Sequence, residues 1–75
     1  MTANNLTRKQ FEDAICLRMV ERTGDIYSNL KPVACETLEE MLSHECIEYG
    51  DPNYDWSQSG AFDIADEEMS YWSID

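Results

Sequence analysis

A chain of 75 residues has room for one small domain, and such a domain hides only about 60% of the surface that its unfolded form exposes. Hydrophobic residues make up 43% of the sequence, and eight residues are aromatic. This excludes a wholly disordered chain, because disordered chains are poor in aromatic residues. The formal net charge of −11 excludes direct binding of DNA, RNA or an anionic membrane as a leading function, since affinity for phosphates comes largely from Lys and Arg.

The charge is divided unevenly along the chain. Residues 1–35 hold all five basic residues and four acids, a net charge of +1, whereas residues 36–75 hold twelve acids and neither Lys nor Arg, a net charge of −12. Repulsion between so many like charges costs folding free energy, so a partner surface of opposite sign is one reason for a chain to retain them. The alternative is that the charge only keeps the protein in solution.

Three cysteines, Cys16, Cys35 and Cys46, form neither a CxxC pair nor a regular disulfide framework. We expect neither a targeting leader nor a membrane span, because we find no cationic stretch followed by an apolar one and no apolar run near the roughly 20 residues that span a membrane. We therefore expect a cytoplasmic, reducing environment in which the thiols are small core residues.

The first helix is predicted to follow a short polar lead over residues 1–6, which we expect to be flexible. Thr7 and Gln10 fit a capping box, in which a hydroxyl and an amide side chain each satisfy a free backbone N–H. The helix continues to Thr23, and Gly24 suits the left-handed residue that ends a helix. Apolar residues on more than one side of this helix predict that it is either the central helix of the domain or a homodimer interface. They are Phe11, Ala14, Ile15, Cys16, Leu17, Met19 and Val20.

Residues 25–36 are predicted to be a connector with room for a short turn of helix. Pro32 disfavours a helical conformation at the preceding residue, although it could itself open a helix at its first position. A second capping box at Thr37 and Glu40 predicts a helix over residues 38–49. The residues expected on its buried face are Leu38, Met41, Leu42, Cys46 and Tyr49. A line of residues four apart is expected on the opposite side, namely Glu36, Glu40, His44 and Glu48.

Residues 51–60 have the composition of a loop, and a third helix is predicted from Ser59 to Trp72. Its expected apolar face consists of Ala61, Phe62, Ala65, Met69 and Trp72. Its polar side carries Asp63, Asp66, Glu67 and Glu68. The sequence therefore predicts a mainly α, three-helix domain with short connections over residues 1–75. An α+β alternative uses Tyr71–Asp75 as a short edge strand.

Oxygen-bearing side chains at alternate positions of the loop are typical of a helix–loop–helix calcium site. They belong to Asp51, Asn53, Asp55, Ser57 and Ser59. The pattern fails at position six, where Trp56 replaces the required Gly, and at position twelve, where Phe62 replaces the bidentate Glu. The favoured interpretation is a set of Asx turns, in which Asp and Asn side chains accept hydrogen bonds from nearby backbone.

Other chemical sites find little support. His44, Glu45 and Cys46 are successive residues of a predicted helix, so they point in different directions, and no second ligand pair has zinc spacing. Cys46 is expected on the buried face, where thiols are inert, and the three glycines form no phosphate-binding loop. We expect neither an enzyme nor a protein with a metal or another cofactor.

The acidic surface is the remaining candidate site. Helix residues four apart lie about 5–6 Å from each other, so lines of carboxylates on two helices, with loop acids between them, would imitate the spaced charges of a nucleic acid. Trp56, Tyr54 and Tyr71 are candidate aromatic anchors, with core packing as the alternative. The residues predicted to contact a partner are Glu36, Glu40, Glu48, Asp51, Asp55, Trp56, Asp63, Glu67 and Glu68.

In its composition the chain resembles the small acidic proteins with which phages and mobile elements block host nucleases, restriction enzymes or CRISPR interference complexes. The resemblance implies an inhibitor that occupies the basic cleft of a host nucleic-acid-binding protein. Such association would be fast and sensitive to salt. The alternative is a non-enzymatic adaptor or assembly protein that forms a homodimer through its apolar first helix.

Overall fold

A computed structural model of the chain describes residues 5–72. Its three helices are α1 (Arg8–Thr23), α2 (Tyr27–Glu45) and α3 (Gln58–Ser70). No strand occurs between residues 5 and 72, so the predicted mainly α, three-helix fold is confirmed. Tyr71 and Trp72 form a turn, and the remainder of the segment assigned to an edge strand in the alternative fold lies outside the described residues.

The ends of α1 are those that the sequence predicts. The Thr7 hydroxyl accepts a hydrogen bond from the backbone N–H of Gln10, and the Gln10 side chain accepts one from the backbone N–H of Thr7 at 3.0 Å. Gly24 ends the helix at φ 79°, a conformation that a residue without a Cβ adopts at little cost. The predicted capping box and helix end are confirmed. Residues 1–4 of the lead, expected to be flexible, lie outside the described residues.

The start of α2 differs from the prediction. The helix begins at Tyr27 and continues without a break through Pro32 and Thr37, so both the connector over residues 25–36 and the capping box at Thr37 are wrong. A proline inside a helix removes one backbone hydrogen bond and costs about 3 kcal/mol. Pro32 and Ser28 are exposed, so water can bond the Ser28 carbonyl that loses its donor.

Packing against α1 offsets the cost of the proline. Leu30, Ala34 and Leu38 recur every four residues and are all buried, and complete burial of a Leu side chain contributes about 1.5–3 kcal/mol. Thr37 belongs to the same buried face, with 6% of its surface exposed. It therefore lies in the middle of a packed helix and not at a helix start.

The end of α2 also comes earlier than predicted, at Glu45. Cys46 adopts the left-handed conformation, with φ 59° and ψ 43°. Its N–H donates to the Ser43 carbonyl, and the N–H of Ile47 donates to the Leu42 carbonyl, which is a Schellman motif. The turn brings Ile47 against the core, and this packing ends the helix without a glycine.

The cysteines differ in their environment. Cys16 is buried, Cys35 is partly buried and Cys46 is exposed. The prediction of core thiols therefore holds fully for Cys16 alone, and the prediction of a buried, inert thiol at Cys46 is wrong. The reason is that the left-handed turn takes Cys46 off the buried face of α2.

The centre of the core is α1, which packs against both other helices, while α2 and α3 contact each other much less. Phe11, Ile15 and Met19 are completely buried. This packing accounts for most of the apolar surface of α1, so α1 is a central helix. Leu17 is the exception, with 51% of its surface exposed.

The loop between α2 and α3 is anchored in the core by Trp56, of which 1% is exposed. The indole Nε1 donates to the Asp51 carbonyl at 2.8 Å, and the ring packs edge-on against Phe11 with centroids 5.3 Å apart. The backbone N–H of Leu6 donates to the Trp56 carbonyl at 2.8 Å, and the Tyr49 hydroxyl donates to the Leu6 carbonyl. These contacts fix the start of α3 relative to the end of α2.

The third helix begins one residue before its predicted start and ends two residues before its predicted end. The Ser57 hydroxyl accepts a hydrogen bond from the N–H of Gly60 and caps the helix. Ala61 and Ala65 are buried, and these small residues form the side of α3 that packs on the core. Over residues 5–72, none of the helices has the length and apolarity that crossing a membrane requires.

Candidate functional site

Arg18 joins α1 to α3. Its guanidinium makes two hydrogen bonds of 3.0 Å to the Asp66 carboxylate and lies over the Phe62 ring, 4.8 Å from its centroid. These hydrogen bonds lower the pKa of Asp66 below its ordinary value and raise the pKa of Arg18. The cation is therefore engaged within the chain, on one side of α3.

Two further cations join α1 to α2. Lys31 lies 3.3 Å from the Asp13 carboxylate, which also accepts a hydrogen bond from the Tyr27 hydroxyl. That Tyr27 hydrogen bond, assisted by Lys31, lowers the pKa of Asp13. Arg8 lies 3.6 Å from the Glu39 carboxylate. The basic residues of the first half of the chain thus serve largely to hold the helices together.

The acids of the second half of the chain outnumber the cations that pair with them. Asp66 and Glu39 are paired with arginines, and among the described residues the other nine acids beyond residue 35 form no ion pair with Lys or Arg. We call these nine residues the acidic surface. They are Glu36, Glu40, Glu45, Glu48, Asp51, Asp55, Asp63, Glu67 and Glu68.

Four residues of the acidic surface line one cleft between α2 and α3, with a volume of about 420 Å³. Glu40 and Glu45 lie on α2, and Glu67 and Glu68 lie on α3. The other residues that line this α2–α3 cleft are Thr37, Met41, His44, Ile64 and Tyr71. The cleft therefore combines carboxylates from both helices with apolar side chains.

The structure brings together part of the predicted contact set. Glu40, Glu67 and Glu68 line the α2–α3 cleft. Glu36 lies one turn before Glu40 on α2, and Asp63 lies one turn before Glu67 on α3; both are exposed. These five residues are the predicted contacts that lie on the helical part of the acidic surface, along α2 and α3.

Other members of that set lie elsewhere. Because α2 ends at Glu45, the predicted line of residues four apart stops before Glu48, and that part of the prediction is wrong. Glu48 and Asp51 border a separate depression beyond the helix end. Trp56 is buried among aromatic rings, so it is a core residue and is not available as an anchor for a partner.

The loop acids make Asx turns, as the favoured interpretation of the loop predicts. The Asp51 Oδ1 accepts a hydrogen bond from the N–H of Asn53 at 2.8 Å. The Asp55 Oδ1 accepts bonds from the N–H and the hydroxyl of Ser57 at 3.0 and 2.6 Å, and these bonds lower the pKa of Asp55. Within residues 5–72, no group of three or more His, Cys, Asp or Glu side chains is arranged to hold a metal ion.

Two tyrosines border the acidic surface. Tyr71 lines the α2–α3 cleft and is 75% exposed. Tyr54 stacks on Trp56 with ring centroids 5.6 Å apart, and its pKa is raised by desolvation and then by the nearby Glu45 carboxylate. Glu45 was absent from the predicted contact set, although its position four residues after Met41 places it next to the apolar side of α2.

Comparisons of the chain with models of protein families, with curated proteins and with solved structures each found no match. The functional argument therefore depends on the geometry and charge of the acidic surface.

Proposed function

We propose that this protein is a non-enzymatic inhibitor that places its acidic surface in the basic, nucleic-acid-binding cleft of a partner protein. The observation that carries the proposal is the set of nine acids without a cationic partner in the described chain, four of which surround one cleft. A protein that holds phosphates through Arg and Lys can hold carboxylates at similar spacing. This is the mode of action implied by the resemblance to phage and mobile-element inhibitors.

The scaffold favours such binding because it holds the charges at fixed positions. Glu40 and Glu67 stand on helices, and Trp56 fastens the connection between these helices to the core. Side chains on rigid elements lose less freedom on association than those on a mobile segment. The excess of negative charge would also steer a basic partner toward the surface and speed association.

The first experiment identifies the partner by its response to salt. The wild-type protein is immobilised, exposed to an extract of its native host at low ionic strength, and washed with rising salt. The purified partner is then titrated with the protein while its binding of a fluorescent nucleic acid is followed. We expect stoichiometric displacement of the nucleic acid and an affinity that falls steeply with salt. A partner that binds equally at all salt concentrations, or that keeps its nucleic acid in the complex, contradicts the proposal.

Charge-reversal variants test whether the surface acts locally. The double substitution Glu67→Lys and Glu68→Lys reverses two neighbouring charges, and Glu36→Lys with Asp63→Lys reverses two charges on different helices. Both change the net charge equally. Neighbouring acids share one patch of the partner, so we expect the first pair to weaken binding more than the second. Equal losses of affinity in the two variants would indicate that binding depends on net charge and not on the position of the acids.

One observation favours a second function, that of a homodimeric adaptor. Leu17 is exposed on α1 and borders a depression together with Leu6 and Phe62. A dimer through this patch would cover an apolar side chain that the chain itself leaves in solvent. Sedimentation equilibrium over a concentration series tests it, with Leu17→Glu as the variant expected to dissociate the dimer. A wild-type protein that stays monomeric at every concentration excludes this function.

A further inference from the structure

The third helix already binds one guanidinium on one of its sides. The Arg18 guanidinium lies over the Phe62 ring and makes two 3.0 Å hydrogen bonds to Asp66, one turn further along α3. An aromatic ring and a carboxylate four residues apart therefore suit an arginine. The planar guanidinium can make paired hydrogen bonds to a carboxylate and stack flat on a ring, whereas the ammonium of lysine makes single hydrogen bonds and lies over rings less often.

The α2–α3 cleft offers the same two kinds of group in the reverse order. Glu67 on α3 and Tyr71, which follows the end of that helix, are also four residues apart, and both line the cleft. Three quarters of the Tyr71 surface is exposed, so the side chain is open to a ligand. In the described chain neither Glu67 nor Glu68 forms an ion pair with Lys or Arg.

The remainder of the cleft suits the stem of an arginine. Met41 and Ile64 line it and are half-buried, and they provide an apolar surface between the two helices. Arg side chains bury their methylene groups on such a surface while the charged head reaches polar groups. Glu40 supplies a carboxylate from α2, opposite those of α3.

We propose that the α2–α3 cleft receives an arginine side chain of the partner protein. Its stem packs on Met41 and Ile64, and its guanidinium meets the carboxylates of Glu40 and Glu67 beside the Tyr71 ring. This inference rests on the proposed function, because it names the side chain through which the basic partner is held. It also restricts the class of partner, since a basic surface that carries lysine but no arginine would bind the cleft more weakly.

The test uses two peptides of equal length and charge, tetra-arginine and tetra-lysine. Each is titrated into the isotope-labelled full chain, and backbone amide shifts are followed by NMR. We expect the arginine peptide to shift amides around the cleft, to saturate, and to bind about fivefold more tightly than the lysine peptide, given the usual strength of exposed cation–π contacts. The amides expected to shift are those of Glu40, Met41, Ile64, Glu67, Glu68 and Tyr71.

Three variants separate specific docking from general attraction. Tyr71→Leu keeps the charge, so it should reduce the preference for arginine while leaving the affinity for lysine unchanged. Glu67→Gln removes one cleft charge, and Glu48→Gln is its matched control, because Glu48 is exposed, forms no ion pair with Lys or Arg in the described chain and borders a separate depression. We expect the first of these two to weaken arginine binding about threefold and the control to change it little. Melting curves check that each variant is folded.

Several results would overturn the inference: equal affinities for the two peptides, shifts spread evenly over the acidic surface, an equal loss of affinity in Glu67→Gln and Glu48→Gln, or no saturable binding. If the peptides fail in this way while the protein still displaces nucleic acid from its partner, the proposed function stands without the arginine site. If the arginine peptide fills the cleft but no captured partner loses its nucleic acid, the site stands and the proposed function fails.

Discussion

Replacement of Gly60 by alanine tests how the start of α3 is held against the preceding loop. Gly60 is the third residue of the helix and is buried. A Cβ at this position would overlap the carbonyl oxygen of Asp55 and would lie 3.0 Å from its carbonyl carbon. These are backbone atoms, so they cannot rotate away as the end of a flexible side chain can. The helix start would have to move relative to the loop that carries Trp56.

Two effects of opposite sign determine how Gly60→Ala changes the free energy of unfolding. Helix propensity alone favours alanine over glycine by about 1 kcal/mol. Overpacking costs about 1–3 kcal/mol, and the contact of Gly60 with backbone places its cost at the upper end of that range. We therefore expect the free energy of unfolding to fall by about 2 kcal/mol in Gly60→Ala. For a domain of this size the melting temperature should fall by about 8–16 °C.

Urea and thermal denaturation followed by circular dichroism measure this change. Ser59→Ala is the matched control, because Ser59 is the preceding residue of α3 and is exposed. Its substitution should change the free energy of unfolding by no more than about 0.5 kcal/mol. A Gly60→Ala variant as stable as the wild type, or more stable, would refute the close approach of α3 to the loop.

Three further predictions concern the core, an ion pair and a helix end. Trp56→Phe should lower the free energy of unfolding by about 2 kcal/mol, because it removes buried volume and a hydrogen-bond donor; an unchanged urea midpoint would contradict this. The pKa of Asp66 is lowered in the folded chain, so its pairing with Arg18 stabilises the fold above the pKa of an unfolded Asp and is lost as the pH falls through the folded pKa. Arg18→Met should therefore be less stable than the wild type near neutral pH and should approach it in acid, and NMR titration should find the pKa of Asp66 raised; parallel stability curves at all pH values would count against the pair. Cys46→Gly should raise the free energy of unfolding by about 0.5–1 kcal/mol, since glycine adopts the left-handed conformation without Cβ strain, and a lower midpoint in urea would argue against that conformation.

The architecture explains why the acidic surface lies on α2, on α3 and on the loop between them. The cations Arg18 and Lys31 are drawn into pairs that join α1 to its neighbours. The second half of the chain has no Lys or Arg of its own, so most of its acids have no cationic partner within the described residues. The same pairs that stabilise the fold thus leave α2 and α3 with the charge available for binding.

Features that depend on neighbouring residues could be predicted from the sequence. The capping box at Thr7 and the left-handed exit at Gly24 involve hydrogen bonds within a single turn, so local spacing is sufficient to predict them. The Asx turns at Asp51 and Asp55 are local in the same way. The charge imbalance follows from composition alone and needs no knowledge of the fold.

The positions at which α2 begins and ends could be found only from the tertiary structure. Pro32 is a local signal against a helix, but the burial of Leu30, Ala34 and Leu38 on α1 outweighs it. At the C-terminal end of α2, local preference favours glycine in the left-handed conformation, yet Cys46 adopts it. In both places packing between distant segments decides against the local preference.

The sequence by itself determined that the chain is helical, where its first helix begins and ends, and that its second half is acidic, because those properties depend on adjacent residues or on totals. Only the tertiary structure decided that Trp56 belongs to the core and that Glu40 and Glu67 line one cleft. Residues far apart in the chain come together only through the packing of whole helices on a shared core. The direction in which each carboxylate points is a consequence of that packing.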